Sequence, residues 1–332
     1  MKRIPIPVIL LLLAATTAAR ADDSSAANCA DYERSAAERI ADCSEALAVP
    51  ENDPMQKARM LAFRGWAHID RAEYVEAEAD FTATVSEASF MQRMMANMLA
   101  AAKDPEAVDL TMPFGSALIG RSWTDAILGK YDEAIADAEL AAKWFQSPAR
   151  DSDAEGMVAY VQRLRGDPVA AEADYQTAEE IYASNPYNKF AHVTLLFELG
   201  RDAEALPLLR DSVRLSSDYG YPNLWLYIHS DDREGEGRRA IQDYADDAKI
   251  WPEPIARYYL GGISANELLR EAEGPTPAKA KENLCEAHYY IAEALRLAGK
   301  LEEARPHYQA AIDTGVTWYI EYAAAKTWLT KN

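Results

Sequence analysis

The sequence is poor in basic residues. Its 332 residues include 34 Lys and Arg against 54 Asp and Glu, which gives a formal net charge of −20. A protein that binds nucleic acid or anionic lipid needs clustered Lys and Arg to neutralise phosphates. We therefore exclude both kinds of partner. Glycine and proline are also sparse, at 15 and 16 residues, so they can mark turns but cannot supply long linkers.

Motifs for metal binding or catalysis are also missing. The chain has five histidines, and none lies in H-E-x-x-H or in a zinc-type Cys/His spacing. Cys285 and His288 are three residues apart, but position 288 falls where the repeat described below expects a large core residue. There is no G-x-S-x-G elbow and no Gly-rich phosphate loop. We therefore expect no metal, no cofactor and no catalysis.

Long apolar runs are absent except at the start. Lys2 and Arg3 precede an apolar stretch over 8–15 that is too short to span a bilayer, and Ala19 and Ala21 suit signal peptidase. The pattern predicts a cleaved secretory signal peptide over 1–21. No membrane-length run follows, and Cys29 is too far from Ala21 for a lipid anchor. We expect an exported protein without a stable membrane anchor, placed in the periplasm, although the signal itself suits secretion to the medium equally.

There are only three cysteines, and export changes how they are interpreted. In an oxidising compartment Cys29 and Cys43 are close enough in sequence to pair, and their spacing is not the C-x-x-C of a redox-catalytic pair. Fourteen residues of continuous helix would hold them roughly 21 Å apart. However, Ser35 and Glu38 form a capping-box pattern that starts a helix after Cys29. The lead can then fold back, so we predict a disulfide, with Cys285 left as a small buried residue.

What the sequence does contain is a repeat. The stretch at 129–136 has similar stretches elsewhere in the chain, each with a small residue at the same position. Three of the five intervals between these small residues are 34, 35 and 37 residues long. These anchor positions are Ala77, Ala134, Ala171, Ala205, Ala240 and Ala304. Five residues before each anchor stand Ala72, Gly129, Gly166, Gly200, Gly235 and Gly299. Glycine leaves a helix readily in the left-handed conformation, so each marks a sharp turn between two helices.

Three further slots keep a fixed distance from each anchor. The residues twelve before and seven after are mostly small, and the slot four after is mostly bulky, as Phe81, Tyr175 and Tyr308 illustrate. Small residues where helices cross, with one large side chain between them, are what closely packed antiparallel helix pairs require. Apolar spacings of three and four argue against a sheet.

This pattern resembles the tetratricopeptide repeat (TPR), a helix–turn–helix unit of about 34 residues. The resemblance implies an all-α fold, a right-handed superhelix of antiparallel helix pairs. We predict four segments: a signal peptide at 1–21; a lead and capping helix at 22–57; repeats with a helical insertion at 58–220; and degenerate and regular repeats with a closing helix at 221–332. The insertion carries Met91, Met94, Met95 and Met98, a stripe that we assign to core.

The C-terminal third has a narrower resemblance. Trp251-Pro252, the run from Tyr258 to Ser264, and the stretch from Cys285 through Ala304 follow the order seen in exported bacterial TPR proteins typified by new lipoprotein I. That resemblance implies a dimeric adaptor that brings peptidoglycan hydrolases to a protease at the cell envelope. The lipid-bearing cysteine of that family is absent, so the resemblance does not imply anchorage.

The first helices of TPR pairs line a concave surface, and the slot eleven before each anchor faces it. This slot holds Trp66, Trp123, Tyr160, Thr194, His229 and Glu293. The same face carries Ile119, Arg163, Phe190, Phe197, Tyr289 and Arg296. Exposed aromatics in successive repeats favour a binding groove. The alternative is that Trp66 and Trp123 pack beneath the Met-rich insertion as core.

These observations predict an exported scaffold that binds proteins or peptides, with aromatic groove residues supplying affinity and acidic surroundings attracting basic partners such as cationic envelope enzymes. The alternative is an α/α-toroid enzyme acting on glycans, in which a carboxylate pair would supply acid–base catalysis. Repeats near 34 residues with glycine at the turn favour the open array over the toroid.

Overall fold

A computed structural model describes residues 25–50, 53–99, 107–143, 147–216, 220–247 and 251–331. These residues are helical or lie in turns, and none of them forms a strand, which confirms the predicted all-α class. The chain divides into two compact units, Met1–Gln146 and Ser147–Asn332. The predicted signal peptide and the side chains of the Met stripe at 91–98 lie outside the described part.

The first unit consists of helix pairs that follow a short helical turn at 25–29. Its helices are α1 (Ala36–Leu47), α2 (Pro54–Ile69), α3 (Tyr74–Leu99), α4 (Ala107–Ile127) and α5 (Tyr131–Ala142). Consecutive helices pack against each other, and α4 also packs on α2.

The second unit continues the same pairing. Its helices are α6 (Pro148–Arg165), α7 (Pro168–Ile181), α8 (Pro186–Glu198), α9 (Asp202–Leu215), α10 (Tyr221–His229), α11 (Arg238–Asp247), α12 (Glu253–Tyr259), α13 (Ala265–Glu271), α14 (Pro277–Leu297), α15 (Leu301–Asp313) and α16 (Ile320–Lys331). Helices α12 and α13 are an extra pair inserted between α11 and α14. Helix α16 packs on α14, α15 and α8, and so closes the unit.

The repeat slots form the contacts between paired helices. All six anchors are at most 8% exposed, and the bulky residues four positions later, from Phe81 to Tyr308, are at most 6% exposed. The turn slot adopts positive φ in five repeats, including Ala72 at φ 55°. Gly235 is the exception, because it lies inside a π-helical turn, Arg233–Gly237. The fifth hairpin therefore turns by a different backbone route.

The segment before α1 folds back on that helix, as the sequence predicted. Ser35 and Glu38 form a capping box at the start of α1. Cys29 and Cys43 form a disulfide, with their Cα atoms 4.7 Å apart, and both residues are fully buried. This confirms the predicted pairing. Across the described ranges, no helix is both long and apolar enough to cross a membrane.

Candidate functional site

The second unit contains a cavity of about 410 Å³. Its lining residues come from five helices or their ends: Phe197, Glu198, Gly200, Asp202, Trp225, His229, Tyr289, Glu293, Arg296, Ala324, Thr327, Trp328 and Lys331. We call this cavity the aromatic pocket. Its volume lies within the range typical of ligand sites.

The repeat register explains which side chains reach the pocket. His229 and Glu293 each follow a fully packed core residue, Ile228 and Ala292. Since neighbouring helix positions are rotated by about 100°, a residue after a core position points to the side of the crossing rather than into it. Trp225 lies four residues before His229, so the two share one face of α10. The predicted groove slot therefore becomes a pocket wall in this unit.

One wall of the pocket is a stack of rings. The Phe197 and His229 centroids are 3.9 Å apart with nearly parallel planes, and Trp225 stacks on His229 at 5.2 Å. Tyr289 continues the series at 6.3 Å from Trp225. On α16, Trp328 stacks on the buried Tyr308 at 4.3 Å. Trp225 and Tyr289 are almost completely buried, so the half-buried rings of Phe197 and Trp328 offer most of the aromatic surface to a ligand.

Two carboxylates of the pocket already have partners. Arg296 donates from Nε to Glu293 Oε2 at 2.8 Å, and Tyr308 donates its hydroxyl to Oε1 of the same carboxylate. Burial lowers the pKa of Arg296, but the adjacent Glu293 outweighs burial and holds that pKa above its usual value. Glu198 is held in the same way by Arg163 on α6, with Nε–Oε2 at 3.1 Å. The pocket is therefore largely charge-compensated before any ligand binds.

His229 is a neutral member of the wall. Burial, together with the smaller effects of the nearby Arg296 and Arg233, lowers its pKa to about 3. Its Nε2 is buried and has no hydrogen-bond partner within the described ranges. At physiological pH the ring is therefore an uncharged aromatic surface.

The structure brings together only part of the predicted groove. Phe197, Tyr289 and Arg296 line the aromatic pocket. Phe190 is buried behind it, edge-on to Trp225 at 5.8 Å. Arg163 touches the pocket through Glu198. Of the other predicted residues of this unit, Tyr160 donates its hydroxyl to the Trp318 carbonyl oxygen at 3.3 Å, and Thr194 is fully buried.

The other predicted groove residues belong to the first unit. Trp66 and Trp123 are half-buried and pack against the core around Phe81 and Ala117, and Ile119 is half-buried as well. Trp66 lies edge-on to Phe81 at 5.5 Å and donates its indole N–H to Ser116 Oγ at 2.9 Å. Both tryptophans thus combine core contacts with partial exposure.

Sequence reasoning missed the two tryptophans of the pocket, Trp225 and Trp328. A signal was available for Trp225, because it lies one helical turn before the slot residue His229. Trp328 lies in the closing helix, which is outside the repeats, so the repeat spacing does not predict where its side chain lies. Within the residues that the structure describes, no group of three or more His, Cys, Asp or Glu side chains could hold a metal ion.

Comparison with known proteins gives structural likeness without a sequence family. No protein-family model matches the chain, and no curated protein matches it. The fold is similar to the apo form of RapI, with a TM-score of 0.53 and 10% identity over 86% of this chain and 93% of that one.

Two further solved structures are similar to the fold of this protein. The apo form of the quorum sensor NprR from B. thuringiensis has a TM-score of 0.50 and 14% identity over 85% of this chain and 83% of that one. The C-terminal part of a TPR repeat-containing protein from Cytophaga hutchinsonii has a TM-score of 0.39 and 17% identity, covering 89% and 98%. With the hairpin geometry described above, the RapI and NprR likenesses show that the chain has a TPR-type helical-repeat fold.

Proposed function

We propose that this protein is an adaptor that binds a partner protein or peptide by enclosing one large apolar side chain of the partner in the aromatic pocket. The observation that carries this proposal is the pocket itself: about 410 Å³, walled by Phe197, Trp225, Tyr289 and Trp328. Concave sites in which aromatic side chains lie beside placed polar groups are a usual form of binding site. A buried aromatic or aliphatic anchor is the usual source of affinity between proteins.

The charges of the pocket favour an uncharged anchor. Glu293 and Glu198 are occupied by Arg296 and Arg163. A charged anchor would have to displace one of these pairs or remain uncompensated in a desolvated site, which is costly. Asp202 and Lys331 also line the pocket and can bind backbone or neighbouring polar groups of the partner. The apolar side chain then supplies affinity and these two supply orientation.

The RapI and NprR structures support ligand binding in general terms. Both are described as apo forms, and NprR as a quorum sensor. NprR illustrates that an array of this fold can act as a sensor.

We further propose that this adaptor acts in the periplasm and in cell-envelope biology. The predicted signal peptide, the buried disulfide and the resemblance of the C-terminal third to new lipoprotein I support that setting. A net charge of −20 favours encounter with basic partners, such as cationic peptidoglycan enzymes. The same resemblance supports a homodimer, which sedimentation of the purified protein would test.

A defined probe tests the pocket directly. Saturation-transfer NMR with N-acetyl-phenylalaninamide should show transfer to the probe, and N-acetyl-alaninamide should show much less. Phe197→Ala combined with Trp328→Ala should abolish the transfer, because two walls of the pocket are removed. The matched control is Leu199→Ala combined with Leu215→Ala, which truncates two exposed side chains of the same unit.

Partner capture extends the test to proteins. Crosslinking in cell-envelope extract should recover the same partners with the control variant and lose them with the pocket variant. A folded pocket variant that keeps all its partners would refute this site. Combining Trp66→Ala with Trp123→Ala separately tests the predicted groove of the first unit.

A further inference from the structure

Two histidines face each other across the hairpin formed by α14 and α15. His288 lies on α14 and His307 on α15, and their Nδ1 atoms are 2.9 Å apart. The ring centroids are 5.2 Å apart, and the ring planes are inclined to each other by 39°. Neither ring lines the aromatic pocket. The pair is therefore a separate feature of the second unit, and the proposed function does not use it.

The sequence places a different residue beside His288. Cys285 is three positions earlier on α14, but it is fully buried, whereas His288 and His307 are half-buried. The two histidines are 19 positions apart, and they meet because the hairpin brings α14 against α15. The expectation of no metal rests on motifs along the chain, and such motifs do not detect ligands that come from two helices.

The backbone that carries the pair is held by buried neighbours. On α14, Ala287 and Tyr289 flank His288 and are at most 3% exposed. On α15, Tyr308 follows His307 and is fully buried. The two rings are therefore mounted on a packed helix pair. A chelating pair needs such a frame, because its ligand atoms have to be in place before the ion binds.

The contact between the rings requires a neutral ligand. At an Nδ1–Nδ1 distance of 2.9 Å one ring must accept the hydrogen bond of the other, so at least one imidazole is uncharged. Burial, with a smaller effect from His307, lowers the pKa of His288 to about 4, and burial lowers the pKa of His307 as well. Neutral imidazole is the form that binds metal ions, through Nδ1 or Nε2.

The spacing of the rings suits a tetrahedral ion. Zinc binds histidine nitrogens at about 2.0–2.1 Å, so two of its tetrahedral ligands lie about 3.3 Å apart. Because a ring nitrogen lies about 1.1–1.2 Å from the centre of the imidazole, the two ring centres are then about 5.2 Å apart. The observed centroid distance has this value. Tilting the two rings in place therefore opens the Nδ1 atoms from 2.9 Å to the zinc spacing.

We propose that His288 and His307 form a two-histidine zinc site, in which the ion replaces the hydrogen bond between the two Nδ1 atoms. The proton of that bond moves to Nε2 of the same ring, so both ligands stay neutral. Among the described residues no third His, Cys, Asp or Glu joins the pair, so water fills the other positions. Unlike a closed structural zinc site, a site with open positions can accept a further ligand from another molecule.

Calorimetric titration of the untagged full chain with zinc chloride at about pH 7.5, near neutrality where histidine is largely uncharged, tests the site. We expect one bound ion. His288→Gln and His307→Gln should each weaken binding by about 100-fold, because the second ligand of a fixed pair acts at high effective concentration. The matched control is His68→Gln, which replaces a half-buried histidine whose Nδ1 lies 2.7 Å from Glu73 Oε2. This control should bind zinc as tightly as the wild type.

A second measurement uses only the wild-type protein, so it does not depend on the folding of the variants. In long-range ¹H–¹⁵N spectra of the imidazole rings, zinc should shift the Nδ1 signals of His288 and His307 and leave the other three histidines unchanged. Absence of binding at millimolar zinc, unchanged affinity of His307→Gln, or shifts confined to other histidines would overturn the site. Zinc binding should persist in the Phe197→Ala and Trp328→Ala double variant, so the pocket and the zinc site can fail independently.

Discussion

The ring of Phe81 is held between two glycines on different helices, and this makes a sharp prediction. A Cβ atom added at Gly120 on α4 would lie 2.3 Å from Phe81 Cζ, and one added at Gly65 on α2 would lie 2.7 Å from Cε1. Both distances are well below van der Waals contact. Since Phe81 is fully buried, its ring has no free space into which to move.

Two opposing effects determine the result of Gly120→Ala. Replacing glycine by alanine inside a helix contributes about 1 kcal/mol of stability through backbone propensity. Overpacking a core costs about 1–3 kcal/mol, and the second glycine contact places this site near the upper end. We therefore expect Gly120→Ala to lower the free energy of unfolding by about 2 kcal/mol.

Urea denaturation of four proteins measures this as a double-mutant cycle: wild type, Gly120→Ala, Phe81→Leu and the combination. In the Phe81→Leu background the shorter side chain leaves room for the methyl group, so Gly120→Ala should be nearly neutral or stabilising. The coupling between the two sites should then exceed about 1 kcal/mol. Stabilisation by Gly120→Ala in the wild-type background, or the same effect in both backgrounds, would show that Phe81 does not fill this space.

Three further predictions follow from buried groups. Cys29→Ser with Cys43→Ser should lower stability by about 3 kcal/mol, as expected for a loop with a sequence separation of 14, and the reduced wild-type protein should match it in thermal denaturation. The pKa of His229 is lowered to about 3 in the folded protein, so between that value and the ordinary pKa of histidine the unfolded chain binds more protons than the folded one. The free energy of unfolding should therefore fall on acidification below about pH 6.5, by up to about 1.4 kcal/mol per pH unit. His229→Phe should reduce this slope in denaturation experiments at pH 4–7. Burial raises the pKa of the Cys285 thiol, so mass spectrometry should find no iodoacetamide adduct at Cys285 in the native protein at pH 8; rapid labelling without denaturant would contradict its burial.

The hairpins could be predicted from the sequence because local constraints impose them. Close packing of two helices requires a small residue where they cross and a turn residue five positions earlier. The anchors from Ala77 to Ala304 are accordingly all buried. Ala72 shows that the turn constrains φ rather than residue type, because it adopts φ 55° without being glycine. Gly235 shows the reverse, since a glycine in the right slot enters a π-helical turn.

The pocket could be predicted only in part, because it depends on contacts between distant segments. Phe197, Tyr289 and Arg296 follow from the repeat face, as does His229. Trp328 does not, because its place is set by how α16 packs on α14 and α8, which no repeat spacing encodes. The pairing of Glu293 with Arg296 and Tyr308 is likewise invisible in a chain where acids are abundant. The repeat spacing therefore predicts one wall of the aromatic pocket, whereas the closure of the pocket depends on tertiary packing.

The walls of the aromatic pocket are drawn from residues as far apart along the chain as 197 and 331. A polypeptide shortened before Ile320 would retain the ring stack of Phe197, His229 and Trp225 but would lack the pocket wall that α16 supplies. Under the proposed function, ligand capture would therefore require that synthesis and folding had both been completed.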